Sequence, residues 1–267
     1  MKKIFGISFL LTFFLFSFIT KETKSPLIPI NYGPNESFEL RVHYGFITAG
    51  EAKVEVSDQF YYINKKICMK ATCTGKSSGS FDLVMKIRDT WTTYIDTVSK
   101  TSQKSTRDIL EGKYKLKEVV QFNYPINKAV VDWENRHKKK GHEEFAIVND
   151  LQDIVSGAYY LRVIDYDRLN INDVIEVNSF LEDKSYAMKI RYKGKEQIKT
   201  DFGKINAIKL VPIMPENGLF EGENSIRLWL SDDKNRLPLK IQADMFVGAV
   251  EVDLKKYNNL KYPINFK

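Results

Sequence analysis

The segment from Arg227 to Leu254 restricts the fold more than any other part of the chain. Leu228 and Leu230 alternate with Arg227 and Trp229, and Leu239, Ile241, Ala243 and Met245 alternate with Lys240, Gln242 and Asp244. Val250, Val252 and Leu254 then alternate with Glu251 and Asp253. A period of two held over this length gives an antiparallel sheet with one apolar and one wet face. Asp232 to Asn235 and Val247-Gly248 supply the turns. The meander reads as the closing edge of a larger curved sheet.

The same period recurs upstream. Phe38, Leu40, Val42, Tyr44 and Phe46 alternate with polar residues, Thr48-Ala-Gly50 reads as a turn, and Ala52, Val54 and Val56 continue the pattern. A third strand runs from Phe60 to Thr74, and Gly75 to Ser80 reads as a flexible link. Strands return over 89–133, and again over 173–180, 185–193, 196–200 and 204–212. Two helices interrupt them. A short one is expected over 81–87. A stronger one over 150–164 carries Leu151, Ile154, Val155, Ala158 and Leu161 as an apolar stripe, with Asn149 and Gln152 as a capping box. Gly157 inside it costs about 1 kcal/mol relative to Ala, which implies close packing against a sheet. The fold class is therefore mainly β, a β-rich α+β chain. It is a large curved antiparallel sheet or half-open β-barrel with two helices packed on or in it.

Lys2 and Lys3 precede an uncharged run from Ile4 to Ile19, the pattern of a secretory signal peptide. The run is short for a spanning helix, which needs about 20 apolar residues. No cysteine follows it, so a lipoprotein anchor is not expected, and the chain is placed in the periplasm or otherwise outside the cytoplasm. The domain reading is a signal peptide over 1–20, a flexible linker over 21–35 and a single β-rich domain over 36–260. Cys68 and Cys73 lie an odd number of residues apart on one strand. Their Cα atoms would be about 17 Å apart at full extension, beyond the ~7 Å limit of a disulfide. Cys73 shares the face of Met69 as a small core residue.

The 267-residue chain carries 41 Lys and Arg against 34 Asp and Glu, and residues 1–20 account for two of the lysines. The one dense basic cluster, Arg136 to Lys140, reads either as a contact for an anionic partner or as a solvated hairpin tip. One tip is too small a footprint for nucleic acid. His43, His137 and His142 form no metal-ligand spacing, and no cofactor or metal motif appears. Asp58, Asp153, Asp165 and Asp167 are the carboxylates that a hydrolase reading would use. Spacing alone brings no two of them together.

Several segments resemble one family. Tyr44 to Ala52 is similar to its opening motif, Leu151 to Arg162 to its central helix, and Phe202 to Leu210 and Ile226 to Leu239 to its last two motifs. The family is the bacterial domain of unknown function family 3108, of exported proteins. The resemblance implies compartment and fold, and no reaction. More distantly, the order of strand, acidic turn and leucine-proline strand resembles the periplasmic lipoprotein carriers, half-barrels in which helices form a lid. Arg162 matches the family's arginine. With Tyr159, Trp91 and Trp229 it makes up the candidate ligand site. The competing role is structural: an arginine that satisfies helix-end carbonyls or pairs with Asp153 or Asp165, and tryptophans in the core. The expected function is a non-catalytic envelope protein that binds a lipid or amphiphile, or an envelope protein partner. The alternatives are an exported hydrolase and a structural part of an outer-membrane assembly.

Overall fold

The structure is a computed structural model and describes residues 26–181, 183–213, 225–244 and 248–267. The signal segment over 1–20, residues 21–25, Met245 and Val247 lie outside the described residues. Fourteen strands form one antiparallel sheet: β1 (Ser37–Tyr44), β2 (Ile47–Ile63), β3 (Lys66–Ser77), β4 (Arg88–Asp96), β5 (Ser102–Glu111), β6 (Tyr114–Asn123), β7 (Lys128–Asn135), β8 (Lys140–Ala146), β9 (Val174–Leu181), β10 (Lys184–Thr200), β11 (Gly203–Pro212), β12 (Ile226–Ser231), β13 (Pro238–Asp244) and β14 (Ala249–Asn258). Helix α1 (Gly79–Val84) lies between β3 and β4, and α2 (Ile154–Arg162) between β8 and β9.

The spatial order is β8-β7-β6-β5-β4-β3-β2-β1-β14-β13-β12-β11-β10-β9. Two consecutive meanders are thus joined where β1 pairs with β14, with Leu40 opposite Leu254 and Val42 opposite Val252. This corrects the reading of Arg227–Leu254 as a closing edge. The meander sits in the interior of the sheet, and the edges are β8 and β9. Among the described residues no strand pairing closes those edges into a barrel. The segment between β8 and α2 crosses the gap instead. Ser102 N donates to Leu151 O, Gln152 N donates to Asn178 O, and Phe180 N donates to Gln152 O. Hydrogen bonds thus cover part of the β9 edge that would otherwise be exposed.

Other local expectations shift. The turn after β1 falls at Gly45-Phe46, and Thr48-Ala-Gly50 belongs to β2. Gly50 serves close approach of backbones, since a Cβ there would stand 2.6 Å from Lys76 O. The strands expected over 185–193 and 196–200 are one strand, β10, carried past an irregularity at Gly194 (φ +87°). The linker expected over 21–35 is packed chain from residue 26 onward. Ile28 N donates to Val163 O, and Asn31 and Tyr32 are buried. Cys68 and Cys73 are free thiols on opposite faces of β3.

Helix α2 starts later than expected because a different residue caps it. Asp153 accepts from Val155 N at 2.9 Å and Ser156 N at 3.0 Å, while Ser156 Oγ accepts from Asp153 N at 2.8 Å. That start turns the helix, so Ile154 and Ala158 face solvent while Val155, Tyr159 and Arg162 face the sheet. Gly157 is not a close-packing point: a Cβ there would meet only Gln152, at 3.7 Å. The main core packs α2 against Val54, Met69, Ile95, Ile190, Leu210 and Leu254, and a smaller one gathers Phe122, Val131, Leu151 and Phe180 near the β8–β9 gap.

Candidate functional site

Arg162 belongs to a sealed knot. Its guanidinium pairs with both carboxylate oxygens of Glu36, at 2.5 and 3.0 Å, and its Nε donates to Asn235 O at 3.1 Å. The Tyr32 and Tyr159 rings lie 5.3 and 5.2 Å from the guanidinium carbon. Arg162 is 1% exposed and Glu36 0%. Burial works against the charge on Arg162, and the Glu36 carboxylate outweighs it, so the guanidinium pKa stays raised. The same burial pushes both tyrosine hydroxyls up. Asn235 also holds Tyr262 through two backbone contacts, at 2.9 and 3.0 Å. The knot ties the segment before β1, helix α2, the β12–β13 turn and the C-terminal tail together. A ligand reaches neither Arg162 nor Tyr159 without unpacking it.

Trp229 is also occupied. It is 6% exposed, its Nε1 donates to Glu196 Oε1 at 2.6 Å, and Lys209 Nζ lies 5.4 Å from its ring. Of the four residues in the sequence-based site, Trp91 alone lines a cleft, and the fold gives it different companions. Register places Trp91 opposite Arg107, Arg107 opposite Glu118, and Glu118 opposite Trp133, one residue on each of β4 to β7. Directly paired side chains share a face, so the four form a row across the sheet. Arg107 Nη2 donates to Glu118 Oε2 at 2.6 Å, and the guanidinium lies 5.7 Å from the Trp91 ring centre. Arg107 Nε is buried and has no acceptor among the described residues. At the far end of the row the Trp133 indole lies over Gly141, where a Cβ would stand 2.2 Å from the ring.

Part of this row forms one wall of a cleft. Trp91, Ser105, Arg107, Glu118 and Val120 line it from the sheet, Asp153 to Val155 from the start of α2, and Phe180, Leu181 and Asp183 from the β9–β10 turn. The space at this end is narrow, about 30 Å³; Thr106, Arg107 and Glu118 also line a wider, open groove of about 660 Å³ with Trp133 and His142, within the size range of small-molecule pockets. The wall combines an aromatic face, aliphatic and aromatic core edges, and one charged pair. The hydrolase carboxylates do not converge there. Asp153 caps α2 and accepts from Thr93 Oγ1, Asp165 pairs with Arg168, Asp167 pairs with Lys195, and Asp58 is exposed on β2.

A second cluster lies on the outer face. His43 Nε2 is 2.6 Å from Asp253 and 3.7 Å from Glu251, and the three donor groups lie within 4.8 Å of one another. Sequence spacing had no way to show it, since His43 and Asp253 meet only through the β1–β14 pairing. Lys240 Nζ already sits 2.8 Å from Glu251 and 3.9 Å from Asp253, so an ammonium fills the place a metal cation would take. The cluster works as an ion-pair network.

The model of the family described as "Protein of unknown function (DUF3108)" matches residues 39–255. No curated protein matches the sequence. Among solved structures, the chain is similar to a β-barrel-like protein of domain of unknown function DUF1849 from Brucella abortus. The two share 10% identity at a TM-score of 0.55, covering 87% of this chain and 99% of that one. A candidate exported protein with a YmcC-like fold from Bacteroides fragilis aligns at 6% identity and a TM-score of 0.38. That alignment covers 88% of this chain and 100% of the other.

Proposed function

The chain belongs to the DUF3108 family, to which no reaction is attached, and we propose that it is an exported, non-catalytic envelope protein that binds an amphipathic ligand in the groove along Arg107, Glu118 and Trp133. The observation that carries this is the Arg107–Glu118 pair, partly buried in the wall of a groove of about 660 Å³ beside the Trp133 indole. A guanidinium in a groove wall can give a charge-assisted hydrogen bond to an oxygen of a ligand's head group. The Trp133 indole offers an aromatic face for an apolar body in the same groove. Export rests on the basic, then apolar N-terminus.

The test is organic extraction of the purified protein followed by lipid mass spectrometry. A defined amphiphile should be recovered from the unaltered chain, and Arg107→Ala should retain about tenfold less of it, the worth of one charge-assisted hydrogen bond. If the unaltered protein carries and binds no amphiphile, the reading is lost.

A further inference from the structure

One end of the sheet carries an apolar projection that no described residue covers. Helix α1 has no buried residue: Leu83 is 90% exposed and Val84 87%, with Phe81 and Met85 beside them. Phe46, in the turn after β1, is 98% exposed. The two features adjoin, because Ser78 N donates to Ala49 O across the start of β2. Single exposed hydrophobics are ordinary; a helix apolar on its outward side with no packed partner is not.

The same rim continues into a basic stretch. Gly112 N donates to Lys86 O, and Arg136 Nη1 donates to Lys113 O at 3.3 Å. The β3–β4 connection, the β5–β6 turn and the β7–β8 turn are thereby linked side by side. They present Lys86, Lys113, Arg136 and Lys139 beyond the paired Arg88–Asp82 and Lys138–Glu134 ions. The basic tip at 136–140, taken alone, is a solvated hairpin. Joined to α1 and Phe46, it completes a surface with apolar side chains at one end and cations along the other.

We propose that this rim docks on the surface of an anionic lipid bilayer. Phe46, Phe81, Leu83 and Val84 enter the boundary between head groups and acyl chains, and Lys86, Lys113, Arg136 and Lys139 lie against lipid phosphates. Neither part suffices alone: a few apolar side chains give weak, reversible partitioning, and cations near an anionic surface supply the second signal. The proposal is independent of the ligand cleft, and either can fail without the other.

The N-terminal run Ile4–Ile19 can itself associate with lipid, so the readout must be local to the rim. Leu83→Trp and, at the opposite end of the sheet, Lys234→Trp are placed separately in the full chain. Each is then mixed with vesicles of phosphatidylglycerol and phosphatidylcholine carrying brominated acyl chains. Quenching beyond that of the native tryptophans is expected for Leu83→Trp and not for Lys234→Trp. Lys113→Glu with Arg136→Glu should weaken that quenching signal about tenfold or more, through the surface-potential term, while circular dichroism stays unchanged. Equal quenching at both ends, no quenching at Leu83→Trp, or a signal indifferent to the charge reversal would each overturn the proposal.

Discussion

Among the described residues, two arginine–glutamate pairs stand in opposite circumstances. Arg162–Glu36 is sealed, flanked by two tyrosine rings and hydrogen-bonded to Asn235. Arg107–Glu118 is partly open, stacked on one tryptophan, with a guanidinium N–H left over. The partners of the first pair are supplied by the protein, from three separate stretches of chain. The second pair keeps unspent hydrogen-bonding capacity beside a cleft. An arginine on an aromatic-rich helix looks like a ligand grip in sequence, yet full satisfaction makes it a structural knot.

That contrast can be broken most severely at Glu36. Glu36→Gln leaves the Arg162 charge buried without a counter-ion and should lower unfolding free energy by about 3–5 kcal/mol, read from urea denaturation. Replacing both partners, Arg162→Met with Glu36→Leu, should restore most of that loss, because a buried ion pair is close to neutral against well-packed apolar residues. A double replacement as damaging as Glu36→Gln would show that the knot acts through more than charge pairing. At the open pair, Arg107→Ala should cost only about 1–2 kcal/mol in the same measurement. Equal losses at the two pairs would erase the distinction between them.

Smaller effects sharpen the frame around the pairs. Gly157→Ala should stabilise the chain by up to about 1 kcal/mol, since the site has room for a methyl and the helix gains propensity. A loss there would mean that α2 packs more tightly than its contacts indicate. Cys68 should resist thiol reagents at pH 8, because burial, helped by Asp96, pushes its thiol pKa up to about 11. The smallest effect belongs to Asp82, whose hydrogen bonds from Arg88 and Ser77 hold its carboxyl at about 2 against an ordinary 3.8. The folded-state pKa is the lower one, so its contribution is complete above about 4 and fades as pH falls toward 2. Thermal melts of Asp82→Asn and the unaltered chain should therefore differ above that window and converge below it.

Sheet content and the presence of two helices were legible because alternation and 3.6-residue spacing are local. Which strands meet was not legible in the same way. Once the turn at Gly112-Lys113 is placed, antiparallel register alone sets Arg107 opposite Glu118, and the turn at Tyr124–Asn127 sets Glu118 opposite Trp133. Half of the open site could thus have been read by counting back from two turns. The helix stripe failed for a physical reason. Asp153, not Asn149, caps α2, and long amphipathic side chains such as Tyr159 and Arg162 bury their stems where a binary pattern counts them polar. His43–Asp253 depends on the β1–β14 pairing, between strands at opposite ends of the domain, and Glu36–Arg162 on α2 meeting the segment before β1; no local signal announces either.

The β1–β14 pairing also sets a schedule. Strand β1 has β2 on one side, but its other neighbour is the last strand made, and the Arg162 knot needs both the residues before β1 and Asn235 with Tyr262 behind it. Contacts so distant in sequence form slowly, because loop closure must precede any gain from packing. While the chain is still emerging, the first half can assemble local hairpins but cannot lock. For a chain exported as proposed above, such late closure leaves an interval in which it is complete enough to be recognised and still loose enough to be threaded.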